Sequence, residues 1–485
     1  MKVLVMGLGL HGGGLESARY LYRRGAELTV TDLRDEKTLA PSIEQLEAEH
    51  GGSPGRQPVR YVLGRHEIDD FRKADMVIKN PGVRPDSPFL KAARRIETDI
   101  SLFLSAAPAR ISAVTGSKGK SCTTSALHWV LARAYEKSEA GAAVPRRAYL
   151  GGNITVSPLA FLDDLRETDD VVLELSSWQL GDLRGRFKTG SGVPLLKPRA
   201  SVLTTILPDH QDFYGGMVPY VADKRVIYEG QGPDDVTVAW DDEWGSSFLA
   251  ESRASGLTCS ILPLPEGTSG GWLPDPDGPA FARLYGALGN GVFDGSVAEL
   301  VPARPLVPGY HQKRNFLAAG LALLGLGLPA DAVREHLETF PGIEHRMELF
   351  HRARGIDFYN DSAATIPEAA AAALETLGGE GRMVLVTGGT DKDLDFSPLA
   401  RVSGKAKAIV LLAGTGSEKL QPLLEQVGTA YLGPFDSPDA ATAAALGVAA
   451  EGDSVVLSPG CASFGMFLNE FDRGRRWKDS VRRLA

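Results

Sequence analysis

At 485 residues, 43% of them hydrophobic and 23% charged, the chain has an ordinary globular composition and enough length for about three domains of roughly 150 residues each. A net charge of -9 excludes the basic face that a nucleic-acid binder needs, and no run of about 18 apolar residues is present, so neither nucleic acid binding nor membrane insertion is expected. Three scattered cysteines (Cys122, Cys259, Cys461) offer no disulfide framework or metal spacing, and the chain enters a strand directly from Met1 with no signal-like segment, which fits a reducing cytoplasm.

Val3 to Met6 reads as an apolar strand, followed by Gly7-Leu-Gly9-Leu-His-Gly12, a helix to Arg24, and a second strand, Leu28 to Thr31, that ends at Asp32. Gly-x-Gly-x-x-Gly between strand and helix, with an acidic residue 20 positions after the last glycine, is the pattern of a turn that lays nucleotide phosphates on a helix N-terminus. Gly13 and Gly14 make this turn looser than a dinucleotide site needs, and Asp32 either reads the nucleotide or caps the strand end. Gly51 to Pro58 is expected to be an exposed loop, Met76 to Gly82 a strand running into a turn, Ile96 to Leu104 a helix, and Ala106 to Arg110 a linker.

Ile111 to Val114 is the next buried strand, and it leads through Thr115-Gly-Ser-Lys-Gly-Lys-Ser121 into a helix from Ser121 through Leu131. Gly116 and Gly119 let the backbone curl so that successive N–H groups face one anion, Lys120 reaches the terminal phosphates, and the Ser121 hydroxyl can ligate Mg²⁺. Where the usual phosphate loop has its first glycine this chain has Val114, so the match is to a shortened form, Gly-x-x-Gly-Lys-Ser. Ala148 to Leu150 is a short strand entering Gly151-Gly-Asn153-Ile154, and Asp163 to Asp170 reads as a solvated charge run. Glu174 ends the apolar strand of Val171-Val-Leu-Glu-Leu-Ser-Ser-Trp-Gln-Leu180, at the edge where α/β proteins bind ligands, and a carboxylate buried there is either ion-paired or catalytic.

The strand Ser201 to Ile206 precedes Pro208-Asp-His210-Gln-Asp-Phe-Tyr214, where an imidazole between two acids suits either Mg²⁺ or a plain polar loop. Tyr220 to Glu229 is expected to be a helix with Lys224 on its polar side. Val236 to Trp240 is a strand, Glu266 to Pro279 a loop rich in Gly, Pro and Asp, and Pro308 to Leu326 a helix that His311 and Asn315 either decorate or use for binding. A third domain starts near Pro341, with strands at Ile356 to Asn360, Val384 to Thr387, Ala408 to Leu412 and Ser454 to Leu457, the last feeding Ser458-Pro-Gly-Cys-Ala-Ser463-Phe464.

The ordered strings Thr115-Gly-Ser-Lys-Gly-Lys-Ser121, Glu174-Leu-Ser-Ser-Trp-Gln-Leu180, Asp209-His-Gln-Asp212 with Lys224-Arg-Val-Ile-Tyr-Glu229, His345-Arg346, Asn360-Asp-Ser362 and Gly389-Thr-Asp-Lys392 resemble those of the Mur ligases. These are the ATP-dependent amide-bond-forming enzymes of peptidoglycan precursor synthesis, and the likeness is to the branch that adds glutamate. Four positions depart from the family pattern: Thr155, Gln312, Ala363 and Ile366.

The resemblance implies an α/β fold of three domains: a Rossmann-like domain over 1–108, a central P-loop ATPase-type domain over 109–340 and a Rossmann-like C-terminal domain over 341–485. UDP would be held by Gly9, Leu10, Asp32, Arg34 and Asn153, and ATP by Gly116, Ser117, Lys118, Gly119, Lys120, Ser121, Cys122, Asn315, Arg346 and Asp361. Ser121, Glu174, His210 and a carbamylated Lys224 would ligate two Mg²⁺ ions, which requires a shielded Lys224 that can lose its proton. Thr365, Lys392, Ser463 and Phe464 would receive glutamate, and Lys120, Glu174, His210 and Lys224 would carry catalysis.

The implied reaction consumes UDP-N-acetylmuramoyl-L-alanine, D-glutamate and ATP through an acyl phosphate, in a cytoplasmic monomer that serves cell-wall growth, cell shape and division. Closure about Pro341 would complete the site. The same motifs accommodate L-glutamate, or a UDP-sugar-binding regulator without turnover. A folylpolyglutamate synthetase would lack the first domain, and an NAD-dependent oxidoreductase would leave Lys120 and Glu174 without a role.

Overall fold

The computed structural model describes residues 1–485 except 10–11, 52–56, 139–144, 155, 289–290 and 380. The loop expected from Gly51 to Pro58 falls mostly outside the described residues, with Gly51 closing a helix, Glu36–Gly51. Contacts divide the chain into two compact units, 1–303 with 314–337, and 304–313 with 338–485. Among the described residues no helix is long and apolar enough to cross a membrane.

The first unit contains two sheets. One consists of β1 (Lys2–Met6), β2 (Glu27–Asp32), β3 (Arg60–Leu63), β4 (Met76–Lys79) and β5 (Ile96–Glu97), all parallel, in the order β3-β2-β1-β4-β5. The order reverses between β1 and β4, which opens a crevice at their carboxyl ends. A Cβ added to Gly7 would lie 3.3 Å from the Cβ of Asn80, so the turns after β1 and β4 touch there. The helix expected from Ile96 begins later. Ile96 and Glu97 form the edge strand, and the helix Asp99–Ala106 is started by Thr98, whose Oγ1 accepts from the Ser101 N–H (3.0 Å) while its own N–H donates to the Ser101 Oγ (2.8 Å).

The second sheet runs β14-β13-β12-β11-β10-β9-β6-β8-β7. Its strands are β6 (Arg110–Thr115), β7 (Ala148–Gly152), β8 (Asp170–Glu174), β9 (Ala200–Leu203), β10 (Val236–Trp240), β11 (Ser255–Ser260), β12 (Gly270–Trp272), β13 (Ala280–Leu288) and β14 (Gly291–Val301). β6 to β12 are parallel, with β6, β8, β9 and β10 largely buried as strands covered on both faces are, while β13 and β14 close the edge as an antiparallel pair.

Two expectations fail in this sheet. The Glu266 to Pro279 loop contains β12, and the charge run Asp163 to Asp170 ends in buried groups. Asp169 accepts from the N–H groups of Arg147 (3.0 Å) and Arg166 (3.1 Å), and Asp170 accepts from the Tyr135 hydroxyl and pairs with Arg110. Buried carboxylates persist where such donors satisfy them.

One apolar cluster runs through both sheets, from Val3 and Leu28 to Ala113 and Val171. Two ion pairs reinforce it: the buried Lys79 Nζ bonds both oxygens of Asp182 at 2.7 and 2.6 Å, and Arg186 reaches Glu97 at 2.7 Å.

The second unit carries the third sheet, β15 (Glu348–Ala353), β16 (Ile356–Asn360), β17 (Met383–Gly388), β18 (Ala408–Leu412), β19 (Tyr431–Phe435) and β20 (Ser454–Leu457), in the order β15-β16-β20-β17-β18-β19. Only β15 is antiparallel to its neighbour. The turns after β16, β20 and β17 therefore meet at one edge.

Candidate functional site

The turn after β6 depends on two glycines. Gly116 has φ 147° and Gly119 φ 90°, and an added Cβ would lie 1.9 Å from the Thr204 Oγ1 and 2.4 Å from the Asn315 Oδ1 respectively. Asn315 thus stands over the loop it was expected to serve. The amides of Ser117 and Lys118 do not face an anion as expected; both donate to the Thr205 carbonyl, at 2.8 and 3.3 Å. The Ser117 hydroxyl is also turned inward, donating to the Leu207 carbonyl and bonding the Tyr220 hydroxyl, each at 2.8 Å. The helix Lys120–Ser138 begins at the end of this turn, with Ser121 half-buried and Cys122 buried, and the first N–H groups of a helix are the ones that lack intrahelical partners. Lys120 curls over its own turn, donating to the carbonyls of Gly116 (3.0 Å) and Ser117 (3.1 Å).

A second lysine arrives at the same carbonyl. Lys224 Nζ donates to the Gly116 oxygen at 2.9 Å and lies 4.4 Å from the Tyr220 ring centroid. Lys224 does not lie on a polar side of its helix, as the local pattern suggested, but is 1% exposed, the shielding that the family resemblance required of it. The helix Met217–Glu229 buries Tyr220, Val221, Lys224, Ile227 and Tyr228, a stripe of i, i+3 and i+4 neighbours with the lysine at its centre. Burial and, next, the ammonium of Lys120 push its pKa down to about 7, against the opposing pull of Asp209 and Asp223.

Glu174 sits in register with Val114, two residues ahead of Gly116, and is 2% exposed. Its Oε1 accepts from the Asn153 Nδ2 at 2.8 Å, while its Oε2 has no hydrogen-bond partner. An orphaned buried carboxylate oxygen beside a phosphate turn is the donor that a hard cation such as Mg²⁺ takes. Among the described residues no group of three or more His, Cys, Asp or Glu could hold a metal.

His210 has φ 50°, is 42% exposed at its side chain, and packs its ring 4.5 Å from that of Trp178. Among the described residues no hydrogen bond joins it to Glu174 or Lys224. Glu174, Lys224 and Lys120 are brought to one turn, and His210 stands on the neighbouring loop.

In the first sheet the Asp32 carboxylate accepts from the N–H groups of Gly9 (3.2 Å) and Arg34 (2.9 Å), and the Ser42 hydroxyl donates to the Gly9 carbonyl (2.8 Å). Asp32 thus shapes the glycine turn through its backbone. The Arg34 side chain is exposed, and Leu10 lies outside the described residues.

In the second unit Asp361 is buried, accepting from the Ser458 hydroxyl (2.7 Å) and the Met347 N–H (3.1 Å), and burial raises its pKa to about 7. With Arg346, His311, Gln312 and Ala363 it lines a cleft of about 260 Å³. Ala363 and its alanine neighbours leave that cleft open where the family pattern has a lysine.

Lys392 is exposed, 5.6 Å from the ring centroid of Phe464, and the turns that carry the two are tied by paired bonds between Thr390 and Ala462. Ser463 is buried and Thr365 half-buried. Five described non-glycine residues have positive φ: His210, His345, Met347, Arg354 and Asp393. Four of them are candidate residues or flank Arg346 and Lys392, so backbone strain concentrates where ligands would bind.

Two contacts were not foreseen from sequence. Asn153, expected to touch substrate, also holds Glu174. Arg473, buried in the last helix, donates to the carbonyls of Ser362 (2.8 Å) and Cys461 (3.0 Å) and so joins the turns after β16 and β20.

Comparison with known proteins gives three matches to family descriptions: Mur ligase MurD-like, N-terminal domain, over residues 1–101, Mur ligase middle domain over 114–262, and Mur ligase, glutamate ligase domain over 345–461. A UDP-N-acetylmuramoylalanine--D-glutamate ligase of Treponema pallidum (strain Nichols) is 38% identical over 539 residues, spanning 99% of this chain and 97% of the relative. The enzyme of that name from Roseiflexus sp. (strain RS-1) is 38% identical over 499 residues, spanning 99% and 98%. The crystal structure of the UDP-N-acetylmuramate-alanine ligase MurC from Thermotoga maritima covers 100% of both chains at a TM-score of 0.56 and 20% sequence identity, a likeness of fold.

Proposed function

The chain belongs to the Mur ligase family, and from that premise we propose how its residues divide the labour of one reaction. It is an ATP-dependent amide-bond ligase that adds D-glutamate to UDP-N-acetylmuramoyl-L-alanine in peptidoglycan precursor synthesis. The alanine carboxylate attacks the γ-phosphorus of ATP and ADP leaves; the glutamate amine then attacks the carbonyl carbon of the acyl phosphate and expels phosphate. Activation is required because a carboxylate is a poor electrophile towards an amine.

Lys120 and the amides at the start of the helix Lys120–Ser138 hold the β- and γ-phosphates, as a helix N-terminus suits anions. Glu174, through its free oxygen, Ser121, His210 and a carbamylated Lys224 are the ligands for two Mg²⁺ ions, which when bound neutralise charge on the phosphate oxygens. Lys224 adds CO₂ as its neutral amine, forming an N–COO⁻ group and releasing a proton. The observation that carries this reading is the meeting of Lys120 and Lys224 on the single Gly116 carbonyl. Two ammonium groups there repel, and carbamylation turns that repulsion into attraction while supplying oxygen ligands.

Gly9, Leu10, Asp32, Arg34 and Asn153 are assigned to the UDP-linked substrate, and Asn315, Arg346 and Asp361 to the nucleoside and phosphates of ATP. Lys392 pairs with the side-chain carboxylate of glutamate, beside Phe464, Ser463 and Thr365. A reaction that consumes ATP and a UDP-linked sugar is placed in the cytoplasm.

Phosphate release by the purified protein, with each substrate omitted in turn and each glutamate enantiomer supplied separately, tests the reading. Release should require ATP, UDP-N-acetylmuramoyl-L-alanine and D-glutamate together; release without the UDP substrate, or faster release with L-glutamate, would contradict it.

A further inference from the structure

Asp99 opens the helix Asp99–Ala106 and is 5% exposed. One oxygen, Oδ2, accepts from the Ser157 hydroxyl at 3.1 Å; the other, Oδ1, has no hydrogen-bond partner. The carboxyl faces a cavity of about 10 Å³ that it lines with Gly7, Gly13, Gly14, Lys79 and Asn80, room for about one water. A Cβ added to Gly13 would lie 3.0 Å from Oδ2, so the acid packs directly under the glycine turn after β1.

Its other neighbour leads to the catalytic edge. Ser157 follows the segment in which the Gly152 N–H donates to the Val156 carbonyl (2.8 Å) and Asn153 reaches Glu174 (2.8 Å).

A buried acid with one oxygen unpaired is destabilising, so a residue chosen for stability alone would be apolar there. We infer that Asp99 is a positioning residue for the UDP-linked substrate: its carboxyl packs under the glycine turn beside the cavity, and its Oδ2, through Ser157, fixes the segment that aims Asn153 at Glu174. The inference rests on the proposed function, since it takes the turn after β1 as the seat of the UDP diphosphate. Burial raises the pKa of Asp99, and asparagine, of the same shape, keeps an oxygen that can accept from Ser157.

Calorimetric binding of UDP and steady-state kinetics on the full chain test it. Asp99→Leu should raise the Kd for UDP and the KM for UDP-N-acetylmuramoyl-L-alanine about tenfold while the KM values for ATP and glutamate stay within about twofold. Asp99→Asn should stay within about threefold of the parent protein. Equal rises in all three KM values, an unchanged UDP affinity in Asp99→Leu, or Asp99→Asn failing as badly as Asp99→Leu would overturn the inference. Should Asp99→Leu not fold, Ser157→Ala cuts the same link from the other side: kcat should fall about tenfold with the KM for ATP unchanged, and an unchanged kcat would overturn it. Absence of UDP binding or turnover in the parent protein would instead overturn the proposed function.

Discussion

Lys224 and Lys392 are both assigned to the chemistry of one ligation, yet their surroundings are opposites. Lys224 is sealed between Tyr220 and the Gly116 carbonyl with its pKa near 7, whereas Lys392 stands exposed beside a Phe464 that is 58% exposed. Burial makes an amine reactive by denying it water; exposure leaves a lysine open to an incoming carboxylate. On the proposed roles, the first lysine serves the chemical step and the second the capture of a substrate. Damage to the first should therefore fall on kcat, and damage to the second on KM.

The largest effect should come from Lys224→Ala, with kcat down on the order of 10²–10³-fold and partly restored by formate or acetate, which can stand in for the lost carbamate. Unchanged turnover would remove Lys224 from the chemistry and collapse the contrast. Asn153→Ala, which frees Glu174 to rotate, should lower kcat about 10–100-fold, and a change confined to the KM for the UDP substrate would mean that Asn153 serves substrate alone.

Lys392→Ala should raise the KM for glutamate about tenfold or more and leave that for ATP within about twofold. Equal rises in both would place the glutamate pocket elsewhere.

The smallest effect should be that of pH on CO₂ dependence. A pKa near 7 means that the neutral amine, the only form that adds CO₂, is lost as pH falls through 7. Bicarbonate should therefore stimulate CO₂-depleted enzyme by about twofold or more below pH 7 and less above it. Stimulation that is the same at every pH would mean that Lys224 does not titrate there.

Much of this was legible in the sequence, because short strings carry backbone geometry. Gly116 and Gly119 announce a turn that tolerates no Cβ, and Glu174 in an apolar strand announces a carboxylate that must be used. What escaped was side-chain environment. The local pattern of Lys224 between Asp223 and Arg225 suggests a polar side and only the family resemblance called for a shielded lysine, although its i±3 and i±4 neighbours Tyr220, Val221, Ile227 and Tyr228 already form the stripe that buries it. The commitment of the Ser117 and Lys118 amides to Thr205, the hold of Asn153 on Glu174, and the bridging by Arg473 are contacts across the fold that no local pattern encodes. The edge strand at Ile96 and the helix start at Thr98 turned on a capping box, Thr98 with Ser101, that differs from the more familiar Glu or Gln partner.

The buried edge of the second sheet is held to energise a carboxylate by phosphorylation. Turnover of UDP-N-acetylmuramoyl-L-alanine labelled with ¹⁸O in its alanine carboxylate tests that claim directly. One labelled oxygen should appear in each phosphate released, because the oxygen that attacks phosphorus departs with it. Phosphate free of label, with the labelled oxygen that leaves the carboxylate found in water instead, would contradict it.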